Sequence, residues 1–100
     1  MESRASKRSK TDLYAKVLEV ITHYPEGVRI TRLSYGVGVP VDRIKLLVEK
    51  LCSYGLVRKS GDNDQTFYGA TIRGLEFLDT YWKMKGFLEE FGEGSKDSQD

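Results

Sequence analysis

The sequence predicts a mainly α fold with one small β-hairpin, an α+β domain built on a single core. Three observations carry that expectation. Four stretches place apolar residues at helical spacing. The segment SYGVGVP, residues 34–40, breaks two of them apart with two glycines and a proline. A polar turn, Gly61-Asp62-Asn63-Asp64, is flanked by β-branched and aromatic residues. The chain has 100 residues, 39% apolar and 31% charged, enough for one modest core.

The first helix is expected from about Thr11 to Tyr24. Thr11 or Ser9 can cap it, Asp12 suits its positive end, and Pro25 stops it. Leu13, Val17, Leu18 (or Val20) and Ile21 form its apolar face. Glu26-Gly27 then turns the chain into Val28-Arg29-Ile30, which is β-branched but too short for more than one edge strand. Thr31 is a good N-cap for a second helix reaching about Tyr35, with Gly36 ending it in a left-handed conformation and Gly38 freeing the turn. Pro40 suits the first position of a third helix, although Val39 stands where a polar cap is usual. Ile44, Leu47, Val48 and Leu51 make that helix's buried stripe, and Gly55 fits just past its end. Residues 56–60 and 65–70 are the hairpin strands, and Thr71 caps a last helix that can continue to Phe91.

Charge is distributed unevenly. Arg4, Lys7, Arg8 and Lys10 against Glu2 give the first ten residues +3, and residues 92–100 carry −2, so the span 11–91 is neutral. Residues 1–9 are expected to form a disordered basic arm and residues 92–100 a disordered acidic tail, flanking a domain over 10–70 and a C-terminal helix over 71–91. The N-terminus lacks the apolar stretch of a signal peptide, and no run approaches the ~18 apolar residues of a membrane span. An intracellular, nucleoid-associated protein (in the host cell, if viral) is expected, with no membrane partner, small-molecule ligand, cofactor or metal.

Enzymatic chemistry is not expected either. His23 is the one histidine and lies at a helix end, while the single cysteine, Cys52, sits beside an apolar stripe and reads as a packing residue. No Gly-rich phosphate loop, paired acids or metal-ligand spacing appears, and GVGVP has no following lysine.

Helix, short strand, helix, tight turn, helix, hairpin, long helix is the order of a winged helix-turn-helix. In that arrangement the third helix is presented to double-stranded DNA and the hairpin forms a wing. Asp42, Arg43, Lys45, Leu46, Glu49 and Lys50 occupy the faces left by the apolar stripe. Arg43 and Lys50 lie seven apart on one side with Leu46 between, and Arg43 and Lys45 are placed to reach bases or phosphates. An ordinary solvated face is the competing reading, favoured by Asp42 and Glu49. On the wing, Arg58 and Lys59 are better phosphate contacts than the acidic tip at Asp62 and Asp64. Arg32 opens a helix that crosses the backbone in such proteins, and Lys7, Arg8 and Lys10 would extend the positive stripe.

The last helix holds the clearest pattern. Phe77, Tyr81, Met84, Leu88 and Phe91 are spaced 4, 3, 4, 3, an a/d seam. Ile72, Leu75, Leu78 and Trp82 form a neighbouring stripe. The expectation is that the second stripe closes the monomer core while the seam pairs with its copy in a homodimer, presenting two readers to half-sites about 34 Å apart. The alternative is a helix folding back on its own domain.

TRLSYGVGVPVDRIKLLVEKLCSYGLV (31–57), a hairpin ending in Tyr68, and TIRGLEFLDTY (71–81) together resemble the archaeal winged helix-turn-helix regulator domains. Members of that family read threonine-arginine-x-x-tyrosine, a leucine-rich third helix, glycine-leucine, then threonine-x-x-glycine-x-x-phenylalanine-leucine. Tyr35, Gly55-Leu56 and Thr71, Gly74, Phe77 and Leu78 match it best. The chain is also similar to archaeal ten-kilodalton DNA-binding proteins that dimerise through a long C-terminal helix. It departs from the family at Val39-Pro40, where a serine cap often precedes the third helix, and at Val41. The resemblance implies DNA binding by the third helix and wing and dimerisation by the last helix, in a transcription regulator or architectural protein. The reading from a different class is a protein-interaction module in which Phe77, Tyr81 and Phe91 dock a partner.

Overall fold

A computed structural model describes residues 9–62 and 65–90. The order is α1 (Lys10–Thr22), α2 (Ile30–Val37), α3 (Val41–Ser53), β1 (Val57–Gly61), β2 (Thr66–Ala70) and α4 (Ile72–Glu90). This is the expected α+β winged arrangement. The expectations for Lys7, Arg8, the acidic tail and Phe91 fall outside the described residues.

Helix α1 begins at a capping box. The Ser9 hydroxyl accepts from the Asp12 N–H at 3.1 Å, and the Asp12 carboxylate accepts from the Ser9 N–H at 3.4 Å. Val17, Leu18 and Ile21 are fully enclosed, because α1 packs against α2, α3, α4 and β2. Leu33 of α2 and Ile44, Val48 and Leu51 of α3 complete the centre of the core.

The second helix corrects one expectation. It begins at Ile30, with Arg29 rather than Thr31 at the N-cap, and runs through Gly36 to Val37; Gly38 is its left-handed terminus, at φ 81°. Gly36 serves closeness instead of turning, since a Cβ there would stand 2.9 Å from Val20 Cγ1 on α1. Pro40 is also displaced by one position. It is the N-cap of α3, extended at ψ 151°, and its carbonyl accepts from Ile44 N–H at 2.9 Å. Gly55, at φ 78°, follows the end of α3 as expected.

The hairpin pairs Val57 with Ala70 and Gly61 with Thr66 in antiparallel register. The predicted edge strand shrinks to a bridge, in which Val28 and Tyr68 exchange both backbone hydrogen bonds at 2.9 Å. Arg29 and Ile30 leave it at once for α2.

The junction into α4 is tightly specified. Thr71 N–H donates to the Leu56 carbonyl at 3.0 Å, and the Thr71 hydroxyl donates to the Gly55 carbonyl at 2.7 Å while accepting from Gly74 N–H at 3.0 Å. A Cβ at Gly74 would lie 2.1 Å from the Leu56 carbonyl oxygen. Gly55-Leu56 and Thr71…Gly74 are therefore two halves of one joint between the end of α3 and the start of α4.

The assignment of the two α4 stripes holds for Leu78, which packs on the core, and is overturned for Ile72, Leu75 and Trp82 and for Phe77 and Tyr81. Tyr81 is 8% exposed and Phe77 packs with Leu78 on the core, whereas Ile72, Leu75 and Trp82 are 74%, 48% and 49% exposed. The cause is polar as well as apolar. The Tyr81 hydroxyl donates to Asp12 Oδ1 at 2.6 Å, joining α4 to the first turn of α1. That bond, ahead of those from Ser9 and the nearby Lys85 ammonium, holds the Asp12 carboxyl below the usual carboxylate range.

Gly74→Ala should lower stability by about 1–3 kcal/mol, because the new methyl meets backbone. Gly86→Ala, where a Cβ meets nothing within 4 Å, should raise it by about 1 kcal/mol. Chemical denaturation of the two variants checks both signs. Tyr81→Phe should cost about 1 kcal/mol at neutral pH, a low value for a bond to a charged group because this one is only part-buried. Since Asp12 is lowered in the folded state, its contribution is complete above its ordinary value of 3.8 and fades as pH falls through the lower folded value. Wild type and variant should therefore converge in strong acid.

Candidate nucleic-acid interface

Helix α3 buries Ile44, Val48 and Leu51 and turns Asp42, Arg43, Lys45, Leu46, Glu49 and Lys50 outward. Helical spacing sorts the outward residues into a crown and two flanks. Leu46, 72% exposed, stands opposite the buried stripe. Arg43 and Lys50 lie on one flank, and Lys45 and Glu49, four apart, on the other.

The wing is attached to the second flank. Lys59 Nζ on β1 donates to Glu49 Oε2 at 3.2 Å, with both side chains about half exposed, at 47% and 55%. The hydrogen bond from Lys59 and the charge of the carboxylate keep the lysine protonated above its ordinary pKa. Lys59 is thus already paired within the chain. Arg58, one residue earlier, points to the other face of the ribbon and covers its cross-strand partner Gly69, where a Cβ would stand 2.9 Å from the guanidinium carbon. Every residue of β1 after Val57 is exposed.

Arg32 sits elsewhere. It shares a shallow cleft of about 350 Å³ with Tyr24, Arg29 and Phe67, at the junction of α2 with β2. There the Arg29 guanidinium lies 5.8 Å from the Phe67 ring centre, in cation–π contact. Lys10 opens α1, whose first turn is bound to α4 through Asp12 and Tyr81 rather than to α3. The structure thus gathers Arg43, Lys45, Lys50 and Lys59 around α3, adds Arg58 on the wing, and sets Arg32 and Lys10 apart. Of the dimer-seam residues, Met84 is 46% exposed and Leu88 half-buried, while Phe77 and Tyr81 face the core.

Three features of this surface are not visible in the sequence: the Glu49–Lys59 pair, the Arg29–Phe67 stack and the 90% exposure of Tyr35. The two contacts depend on where the hairpin folds, which spacing along one helix does not encode. His23 is an exposed residue at the end of α1, its Nδ1 3.1 Å from the Glu19 carbonyl oxygen. Cys52 is half-buried against the core, and burial raises its thiol pKa. Among the described residues no cluster of His, Cys, Asp and Glu is placed to hold a metal, and no helix is long and apolar enough to cross a membrane.

A family model described as a winged helix-turn-helix matches residues 7–89. The chain belongs to the winged helix-turn-helix family. Solved structures share this winged-helix fold at low identity. MepR, a transcription regulator of the Staphylococcus aureus multidrug efflux pump MepA, is 13% identical with a TM-score of 0.70, over 80% of this chain and 61% of that one. A MepR variant bound to an oligodeoxyribonucleotide is 12% identical with a TM-score of 0.69, over 84% and 64%. A MarR-family transcriptional regulator from Silicibacter pomeroyi is 20% identical with a TM-score of 0.66, over 87% and 59%. The winged-helix chain spans about three fifths of the length of these regulators. A comparison with curated proteins finds no match.

Proposed function

We propose that this winged-helix chain binds double-stranded DNA as a transcription regulator, with α3 in the major groove and the β1–β2 wing on the flanking backbone. One observation carries the reading. The Glu49–Lys59 contact joins α3 to the wing, so that Arg43, Lys45 and Lys50 stand exposed on a helix with Lys59 beside it and Arg58 on the other face of the ribbon. A helix flanked by a ribbon suits a groove and its flanking phosphates. The MepR variant bound to an oligodeoxyribonucleotide shares the fold and supports the same use of it.

Arg43 and Lys45 are the main groove contacts. Lys50 and Arg58 hold phosphates, and Lys59 does so only by sharing its ammonium with Glu49. Arg32, with Arg29, offers a second basic spot, and Lys10, with Lys7 and Arg8 before it, a third. Two copies joined through α4 would present two α3 helices, as in the ten-kilodalton dimers the sequence resembles. The dimer seam moves outward from the position that spacing alone suggests. Met84 and Leu88 remain in it, and Phe87, 58% exposed and three residues from Met84, takes the place of the inward Phe77 and Tyr81.

Arg43→Ala with Lys45→Ala should weaken duplex binding at least tenfold and flatten its dependence on salt. The log–log slope should fall by about 0.9 for each phosphate that is no longer neutralised. Fluorescence anisotropy across a salt series measures both effects, and unchanged binding would remove α3 from the interface. Met84→Glu with Phe87→Glu should convert a dimer to a folded monomer in light scattering. Charges at Tyr81 would instead unfold the domain, because that ring is buried.

A further inference from the structure

A leucine 72% exposed and a glutamate are poor residues for a surface that only grips phosphates, yet Leu46 stands at the crown of α3 and Glu49 on the flank beside it. Single exposed leucines are ordinary on protein surfaces. This one stands at the crown of the helix, with Arg43 and Lys50 on one side and Glu49 on the other. A free carboxylate there would be repelled by DNA. Lys59 changes that by binding Oε2 at 3.2 Å, which offsets the charge, biases the side chain toward one orientation and leaves Oε1 able to accept another hydrogen bond.

We infer that Leu46 at the crown and Glu49 on its flank are a base-reading pair: Leu46 packs on the methyl group of a thymine, and Glu49, positioned by Lys59, accepts from the exocyclic amine of a cytosine. The chemistry follows from the major-groove edges. Thymine is the base that presents a methyl there, and cytosine N4 is a donor suited to a carboxylate. Residues three apart on a helix have Cβ atoms about 5–6 Å from each other. Successive bases on a strand rise by about 3.4 Å. The thymine and cytosine are therefore neighbours or one step apart. The inference rests on the DNA-binding reading and adds to it which bases the helix prefers. Lys59 is a positioning residue in this scheme, and Glu49 and Leu46 are the readers.

The test selects duplexes from a random library with the full chain, then measures anisotropy on the selected duplex. The wild type should enrich a site holding thymine and cytosine within two steps. Leu46→Ala should lose the thymine preference, and replacing that thymine by deoxyuridine should weaken wild-type binding by about fourfold, one methyl's worth of burial. The same replacement should leave L46A binding unchanged. Glu49→Gln should shift the preferred base from cytosine to adenine, which a glutamine amide pairs bidentately, by about tenfold. Lys59→Ala should blunt the cytosine preference as well as weaken binding to all duplexes. The Glu49–Lys59 pair is solvent-exposed, so these variants are expected to fold, and circular dichroism verifies it. Wild-type binding with no sequence preference, or identical sites selected by wild type, L46A and E49Q, overturns the inference while leaving DNA binding intact. No binding to any duplex at low salt overturns both.

Discussion

The positions of the wing and of α4 depend on how Thr71 is held. Its N–H and hydroxyl bind the carbonyls of Leu56 and Gly55, so the two ends of the hairpin are fastened at the point where α3 stops. The same hydroxyl caps α4 through Gly74 N–H. One residue thus sets where the wing leaves α3 and where α4 begins. Gly74 makes this possible, since any larger residue would push α4 off the Leu56 carbonyl. With the base of the hairpin fixed, Lys59 comes within reach of Glu49, and α4 is carried back along α1 until Tyr81 meets Asp12. The motif that most strengthens the family resemblance is therefore architectural: it positions α3, the wing and α4 relative to one another.

Element order is legible in the sequence because it rests on local chemistry. Helical spacing, Ser9 and Thr71 as caps, Pro25 as a stop and the polar turn each act over a few residues. Misreadings arise where one residue type has two uses. Gly36 and Gly38 both look like helix ends, but Gly36 is there because α1 and α2 approach closely at Val20. The α4 stripes mislead for a related reason. Both are periodic, and the residues that face inward, Phe77, Leu78 and Tyr81, are drawn from both, with Tyr81 bonded to a carboxylate 69 residues away. Of the candidate interface, the outward residues of α3 follow from the stripe formed by Ile44, Val48 and Leu51. The pairing of Lys59 and the separation of Arg32 and Lys10 do not, because those are properties of how elements meet.

Acids and bases are interleaved throughout the described residues, and their arrangement matters more than the neutral total of residues 11–91. The pairs Arg73–Glu76 and Lys83–Asp79 lie along α4, while Glu49–Lys59 joins α3 to the wing. Exposed pairs such as these contribute little to stability. Their effect is on the local field. On α4 they neutralise the helix surface between apolar residues, whereas around α3 Arg43, Lys45 and Lys50 stand against Asp42 and Glu49. A strong, uniform positive field would bind any duplex. In the proposed DNA complex a mixed face would weaken that indiscriminate attraction, so that shape and base edges would decide a larger share of binding.

Trp82 gives the exposed side of α4 a further property. It is the single tryptophan of the chain, half exposed, with its ring edge-on to Tyr81 at 5.2 Å between centroids. Indole emission depends on the polarity around the ring, and Tyr81 is near enough to pass excitation to it. The protein therefore contains an optical reporter on α4, remote in sequence from α3. Covering that face would move its emission to shorter wavelength without any label, while loosening of the Tyr81–Asp12 contact would register through the adjacent tyrosine.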